Sequence, residues 1–217
     1  MSFIAFMTRK HVHIFESAIL LFYNTQIGNL HFMKELFEKE YSIELSKINA
    51  LIDILEKSIN AASLEQMAEY KKVYDNLNYL RYDDESNVEF SMTCTVKDLE
   101  IFSICLDFYS RIFIGQFNEM RHLFYKSENQ DDIEIFLLQL RNAIFPDLNC
   151  GFYGSYGITN SEVHINAKIA YEMYKVIRKQ IWIERGCTPE YCTDSYDPLR
   201  LSKEPLLIIE KIRRSWN

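Results

Sequence analysis

Residues 8–39 (TRKHVHIFESAILLFYNTQIGNLHFMKELFEK) and residues 95–126 (TVKDLEIFSICLDFYSRIFIGQFNEMRHLFYK) are similar to each other. At an offset of 87 without a gap they share ten identical residues in 32 positions. The identities include Phe15 with Phe102 and Gly28 with Gly115. Self-similarity at a fixed offset is typical of repeated supersecondary units. We therefore expect an internal duplication whose copies are related by a pseudo-two-fold axis.

Each copy predicts the same order of elements. A short run with strand character, residues 3–7 or 88–94, precedes a threonine, Thr8 or Thr95, that is suited to cap a helix. Apolar residues then recur every three and four positions, which predicts one long helix over each matched segment. Further helices are expected at 43–58 and 131–144, and with a shifted offset at 64–80 and 163–185. The sequence thus predicts a mostly α protein with a minor two-stranded β element, whose strands pair antiparallel across the pseudo-axis.

The repeat also suggests where the chain divides. Residues 1–87 form the first unit, and residues 88–217 form the second unit. The second unit carries an inserted glycine- and aromatic-rich loop, 145–160, and a C-terminal tail. We expect the two units to make one compact globular body.

Composition excludes several classes of protein. The chain has 217 residues, 48% of them hydrophobic and 25% charged, which is typical of soluble globular domains and not of disordered chains. The net charge of −7 makes binding to nucleic acid or to an anionic membrane unexpected. The longest run without a charged residue is 17–33. It contains several polar side chains, which make it too polar for a membrane span.

The five cysteines are an odd number in a chain of this length, so a disulfide scaffold is not expected. Cys105 lies in an apolar run and is predicted to be buried. These features favour a reducing compartment, namely the cytoplasm, or the host cytoplasm if the protein is viral.

Gly28 and Gly115 stand within the predicted long helices, where glycine costs about 1 kcal/mol relative to alanine. The favoured interpretation is that each glycine allows another helix to approach closely. The alternative is a kink or break that lines a binding site.

Arg111 and Gln116 are the polar residues of an otherwise apolar stretch, 108–117. A buried arginine needs a partner, so the favoured interpretation is a structural pair with a carboxylate such as Asp107 or with loop carbonyls. The alternative is recognition of an anionic ligand by the planar guanidinium. The first copy has Asn24 and Asn29 at these positions, so this polar chemistry belongs to the second copy.

Two further regions have alternative interpretations. Residues 149–160 hold three glycines in seven residues but match no phosphate-binding motif, so a surface loop with aromatic anchors is favoured over a phosphate cradle. Ser161 or Asn160 is the expected cap of the last helix. That helix mixes basic and aromatic residues, which can bind single-stranded nucleic acid, but Glu172, Glu184 and the acidic balance favour a solvated face.

Metal and catalytic signatures are weak. Cys187 and Cys192, and likewise His11 and His13, lack the second pair of ligands that a zinc site needs. The motifs of known hydrolases and metalloproteases do not occur. We therefore predict no metal, no cofactor and no enzymatic activity.

Three stretches carry a resemblance to a known family: FYSRIFIGQF at 108–117, YGITN at 156–160 and AYEMYKVIR at 170–178. Together they resemble a family of small bacteriophage, prophage and bacterial proteins with the pattern YSRxxxGQF, YGIxNPEV and AYxxYQVIRH. The chain departs from the pattern at Ser161, Lys175 and Lys179, where the family has Pro, Gln and His. The resemblance covers about residues 90–214 and implies a phage context without any assigned activity.

Three classes of function remain, in this order of preference. The first is a non-enzymatic interaction protein of phage origin that binds a host protein, for example as an inhibitor of host defence. The second is a binder of a small anionic ligand or nucleotide, with a pocket in the second copy, and the third is an enzyme with an unfamiliar site. Homo-oligomerisation stays open. The candidate residues for binding a ligand or partner are Tyr109, Arg111, Gln116, Tyr156, Asn160, Tyr174 and Arg178. A deep pocket lined by Arg111, Gln116 and Tyr156 would favour the ligand binder.

Overall fold

The computed structural model describes residues 2–41, 45, 49–58, 68, 72, 90–124, 130–148, 150–186, 194 and 196–212. Its helices are α1 (Arg9–Gln26), α2 (Leu30–Tyr41), α3 (Asn49–Ser58), α4 (Val96–Phe113), a 3₁₀ helix (Phe117–Phe124), α5 (Gln130–Ile144) and α6 (Ile165–Glu184). Its strands are β1 (Ser2–Met7), β2 (Phe90–Thr95) and β3 (Ile208–Lys211). The predicted class, mostly α with a small β element, is confirmed. The predicted helix at 64–80, apart from residues 68 and 72, and the start of the second strand at 88–89 lie outside the described residues.

The sheet has three strands in the order β2–β1–β3, with both pairings antiparallel. The predicted pairing of the two repeat strands is present, and Ala5 lies opposite Met92 at its centre. The prediction of two strands is wrong, because the C-terminal tail adds β3 to the free edge of β1. As the central strand, β1 buries Phe3, Ala5 and Met7 on one face.

The predicted helix caps Thr8 and Thr95 are both confirmed. Each threonine hydroxyl accepts a hydrogen bond at 3.2 Å from the backbone amide three residues on, in His11 and Asp98. The side chains of these residues in turn accept from the threonine amides, which completes a capping box at each helix start. The two copies therefore begin their first helix in the same way.

The predicted continuous helices over 8–39 and 95–126 are wrong. Each helix ends just before its glycine, and Gly28 (φ 83°) and Gly115 (φ 89°) adopt the left-handed conformation that glycine tolerates best. The amide of Asn29 donates to the carbonyl of Asn24 at 2.8 Å, and the amide of Gln116 donates to the carbonyl of Arg111 at 2.9 Å. These are the bonds of a Schellman motif. The two glycines therefore break the helices, and that such a break lines a binding site stays a prediction.

The N-cap of α6 also differs from the prediction. His164 caps the helix, and its Nδ1 accepts from the amide of Asn166 at 3.3 Å. Asn160 instead accepts from the amide of Glu162 at 2.8 Å within the preceding turn, and the hydroxyl of Ser161 donates to the Glu162 carboxylate. The turn at 157–163 delays the helix start by a few residues.

One apolar core joins both halves of the chain. Phe37 of α2 stacks on Phe113 at the end of α4, with ring centroids 4.5 Å apart. Cys105 is fully buried, as predicted. The C-terminal tail is held by the buried carboxylate of Glu172, which accepts from the amides of Leu201 and Ser202 at 2.6 and 3.1 Å. A search of the described residues for a helix that could cross a membrane found none.

Candidate functional site

Helices α4 and α6 run antiparallel and enclose a groove. Glu100 near the start of α4 pairs with Arg185 at the end of α6, with 2.6 Å between carboxylate and guanidinium. On each helix, the residues that face the groove recur every three or four positions, as residues on one side of a helix do. Those faces are formed by Glu100, Ser103, Ile104, Asp107, Phe108 and Arg111 of α4 and by Tyr174, Arg178, Ile181, Trp182 and Arg185 of α6.

The groove consists of two adjoining clefts. The cleft at the Arg185 end has a volume of about 390 Å³, and the cleft at the Arg111 end has a volume of about 260 Å³. Ser103, Ile104 and Arg178 line both clefts. Ile104 is 48% exposed at this shared position, so an apolar side chain faces solvent at the centre of the groove.

Arg111 is engaged by side chains of its own chain. Its Nε donates to Asp107 at 2.9 Å, and one terminal nitrogen donates to Glu119 at 3.1 Å and to Gln116 at 3.3 Å. Burial raises the pKa of the Asp107 carboxyl, while the neighbouring Arg111 guanidinium opposes this shift. The geometry therefore matches the interpretation of Arg111 as a structural residue that pairs with a carboxylate.

Arg178 is also paired. Its Nε and Nη2 donate to Asp194 at 3.1 and 2.5 Å, and its guanidinium lies 5.9 Å from the Tyr174 ring centroid. Lys175 and Lys179 lie 4.0 and 2.6 Å from carboxylates of the segment that follows α6. Arg178 and Lys179 remain 44% and 34% exposed, so this basic face is partly solvated and is also paired with acidic residues of the segment that follows α6.

Three predicted site residues, Gln116, Tyr156 and Asn160, lie in the inserted loop or at its attachment. The Gln116 amide donates to the hydroxyl of Ser155 at 3.3 Å, and the backbone amide of Tyr156 donates to the carbonyl of Ile114 at 2.9 Å. Both contacts fasten the loop to the end of α4. Neither Gln116 nor Tyr156 lines the clefts that Arg111 or Arg178 line, and Asn160 serves the turn before α6.

Tyr109, the remaining predicted site residue, belongs to the core. Its ring stacks on Phe113 at 4.3 Å, and burial raises its pKa well above the ordinary value. Of the seven predicted residues, the groove therefore brings together Arg111, Tyr174 and Arg178.

Arg141, which was not among the predicted site residues, organises the inserted loop. This fully buried arginine donates to the carbonyls of Cys150 and Gly151 at 2.6 and 2.7 Å, to that of Gly154 at 3.3 Å, and to the side chain of Asn142. Its five N–H groups are thereby satisfied. Arg141 stands four residues after the buried Leu137 and three residues before the buried Ile144, and this helical spacing could have identified it.

The groove residues Ile104 and Trp182 were missed as well. Ile104 follows Glu100 and precedes Phe108 at four-residue spacing, and Trp182 stands four residues after Arg178. Reading the two helices as one antiparallel pair would have placed both residues on the facing sides.

One group of side chains has the composition of a metal site. Within the described ranges, the ligand atoms of His31, Asp53 and Glu56 lie within 4.8 Å of one another. Hydrogen bonds explain this arrangement: His31 Nε2 lies 3.0 Å from Asp53, and Glu56 accepts from the first amides of α2. Cys187 and Cys192 lie outside the described residues.

Comparison of the chain with protein-family models, with curated proteins and with solved structures found no match.

Proposed function

We propose that the chain is a non-enzymatic interaction protein that binds a host protein through the α4–α6 groove. The observation that carries the proposal is Ile104, an apolar side chain that is 48% exposed at the centre of a groove between two helices. Arginine, aromatic and acidic side chains surround it, and of these the arginines and aromatics are the types enriched at protein interfaces.

The state of the arginines supports a protein partner over a small anion. Arg111, Arg178 and Arg185 each have a carboxylate partner within the chain. A small anion would have to compete with these carboxylates, whereas a protein segment gains contact area from the apolar centre without breaking the pairs.

The phage context rests on the motif resemblance alone. It supports a partner in the cytoplasm of a bacterial host, and inhibition of a host defence protein is the role that we propose for the contact.

The proposal is tested by photo-crosslinking inside bacterial host cells. A benzophenone amino acid replaces Ile104 in one variant and Ile135 in the control variant, because Ile135 is similarly exposed but lies on α5. We expect a discrete adduct with a host protein from position 104 and none from position 135. The same adducts from both positions, no adduct at 104, or an adduct with a second copy of the chain would overturn the proposal.

A small anionic ligand is the second candidate, because Arg111, Tyr174 and Arg178 line one cleft. Titration with inorganic phosphate and with nucleotides tests it. If it is correct, Arg111→Ala weakens binding about ten-fold or more, while Asn24→Ala at the matching position of the first copy has no effect. Equal losses at both positions, or no binding by the unmodified chain, would contradict it.

A further inference from the structure

Strand β2 has backbone groups that point away from the sheet. The position of these groups follows from the β1–β3 ladder, where the amide of Ile212 donates to the carbonyl of Ser2 at 3.0 Å and continues the register of that pair. Backbone groups alternate in direction along an antiparallel strand, so every second residue of β1, starting at Ser2, bonds to β3 and the residues between them bond to β2. On β2, the amides and carbonyls of Ser91 and Thr93 therefore point to the edge opposite β1.

The unpaired part of this edge is short and well defined. Among the residues that the structure describes, β2 pairs with β1 alone. The amide of Thr95 donates to the carboxylate of Asp98 at 2.7 Å as part of the capping box, so it is already satisfied. Ser91 and Thr93 thus offer two amides and two carbonyls to another strand.

The corresponding edge of β1 is covered. At the offset of 87, Ser91 corresponds to Ile4. Thr93 likewise corresponds to Phe6. The backbone of Ile4 and Phe6 pairs with β3 of the C-terminal tail. The same kind of edge therefore occurs twice in the described part of the fold, and β3 fills only the one on β1.

Strand β2 also lacks the features by which edge strands avoid pairing with other chains. Those features include charged side chains, proline and bulges. The sequence of β2, FSMTCT, has no charged residue and no proline, whereas β3, the other edge strand, carries Glu210 and Lys211. Ser91 and Thr93 are exposed on the outer face, and Met92 is half-buried against the core on the inner face. The edge of β2 is therefore open to another strand.

We propose that β2 pairs antiparallel with β2 of a second copy of the chain, an interaction that is independent of the α4–α6 groove. A two-fold axis at Met92 places Ser91 of each copy opposite Thr93 of the other. Each such pair exchanges both of its backbone hydrogen bonds. With two amides and two carbonyls from each copy, every free group of the edge is satisfied. The two small sheets become one sheet in the order β3–β1–β2–β2–β1–β3.

The side chains of β2 are compatible with this self-pairing. No like charges meet, because the strand has none. On the outer face the hydroxyl of Ser91 lies opposite that of the second copy's Thr93, a cross-strand pair that stabilises sheets. A shifted axis at Thr93 would instead place Ser91 opposite Thr95, whose amide Asp98 already binds. The register centred on Met92 therefore forms more hydrogen bonds.

Analytical ultracentrifugation of the full chain over a series of concentrations tests the proposal. We expect a concentration-dependent dimer that strengthens with added salt, because each copy carries a net charge of −7 and salt screens the repulsion. Thr93→Pro removes an edge amide from each copy at a position where a strand tolerates proline, so it should weaken the dimer about ten-fold or more. Lys211→Pro on β3 is the matched control, because its amide also points away from β1, and it should leave the dimer unchanged.

A charge-swap pair tests the register and does not depend on a proline variant. One chain carries Ser91→Asp with Thr93→Asp, and the other carries Ser91→Lys with Thr93→Lys. Like charges then lie opposite each other in a dimer of either chain, so each alone should be monomeric. An equal mixture should dimerise, because opposite charges then face each other. Both positions are exposed, and circular dichroism establishes that each variant is folded.

Four results would overturn the proposal. They are a chain that stays monomeric at every concentration, a dimer that a folded Thr93→Pro variant leaves intact, an equal loss with Lys211→Pro, and no recovery of the dimer in the mixture of charged chains. If Thr93→Pro does not fold, the charge-swap pair decides alone. None of these results bears on the groove, so the proposed function is tested separately.

Discussion

Phe15 and Phe102 meet edge to face between α1 and α4, with ring centroids 4.8 Å apart, and they occupy the same position in the two matched segments. A second pair at the same offset of 87, Ala5 and Met92, lies just before the matched segments, at the centre of the β1–β2 ladder. A two-fold axis brings a residue against its own equivalent only where the axis passes between them. Both pairs are therefore positioned as a pseudo-two-fold requires, while the duplication itself stays a prediction.

If the two halves are related in this way, the two phenylalanines have similar surroundings. We expect Phe15→Ala and Phe102→Ala to lower the free energy of unfolding by similar amounts, each about 3–5 kcal/mol. The double variant should show a coupling of about 0.5–1.5 kcal/mol from the lost ring contact. Urea unfolding measures both quantities. Losses that differ by more than about 2 kcal/mol would argue against equivalent environments.

Gly115 is constrained by its backbone and by its neighbour. Its φ of 89° disfavours any side chain, and an added Cβ would lie 2.5 Å from a terminal methyl group of Leu148. We expect Gly115→Ala to cost about 1–2 kcal/mol for the backbone and about 1–3 kcal/mol for overpacking.

A double-mutant cycle with Leu148→Ala separates the two costs. Shortening Leu148 should relieve the overpacking but not the backbone cost, so the cycle should show favourable coupling. Gly28→Ala provides the control, because Gly28 has a similar φ of 83° and its effect should add to that of Leu148→Ala. Additive effects at Gly115 would show that Leu148 moves away without cost.

Arg141 holds the inserted loop through three carbonyl groups, those of Cys150, Gly151 and Gly154. Arg141→Met leaves these acceptors without their donor, so we expect a loss of about 3 kcal/mol or more in the free energy of unfolding. Hydrogen exchange in residues 150–158 should also accelerate. Arg121→Met is the exposed comparison and should cost under about 1 kcal/mol. Equal effects of the two substitutions would mean that Arg141 does not order the loop.

The parts of the fold that local chemistry determines were predictable. Apolar spacing and the threonines at positions 8 and 95 identified the helix starts, because a capping box depends on residues only three apart. The helix ends were not predicted, since the cost of a mid-helix glycine is small enough for either outcome. β3 was missed because a four-residue strand at the edge of β1 depends on a partner about 200 positions away.

Part of the candidate site was also predictable, because it depends on local helical spacing. Arg111, Tyr174 and Arg178 reach the groove because helical spacing fixes the direction of their side chains. Gln116 and Tyr156 were misassigned because the path of a glycine-rich loop depends on long-range contacts. Arg141 was overlooked because an arginine in the last turn of a helix is usually exposed and interacts with the helix dipole.

Two histidines should make stability depend on pH. Burial lowers the pKa of His11 and of His164 below the ordinary value of 6.5, although Glu204 and Glu40, respectively, oppose the shift. The folded state therefore holds these rings neutral, while the unfolded chain takes up protons as the pH falls below about 6.5. Protonation also removes the Nδ1 acceptor with which His164 caps α6. The free energy of unfolding should be highest above about pH 6.5 and should decrease as the pH falls below it through the lowered pKa values of the two histidines.

Urea unfolding at pH 7.5 and pH 5.0 measures this dependence. We expect His11→Gln and His164→Asn each to reduce the difference between the two pH values, because both replacements remove the titrating ring. Glutamine at position 11 keeps a side-chain acceptor for the capping box, and asparagine at position 164 is a good N-cap, so both variants should fold at pH 7.5. Phe15→Leu, a core substitution without a titrating group, should lower stability equally at both pH values. The variant that combines His11→Gln with His164→Asn decides the assignment. If it keeps the full pH dependence of the unmodified chain, this dependence comes from other groups and the assignment to the two histidines is wrong.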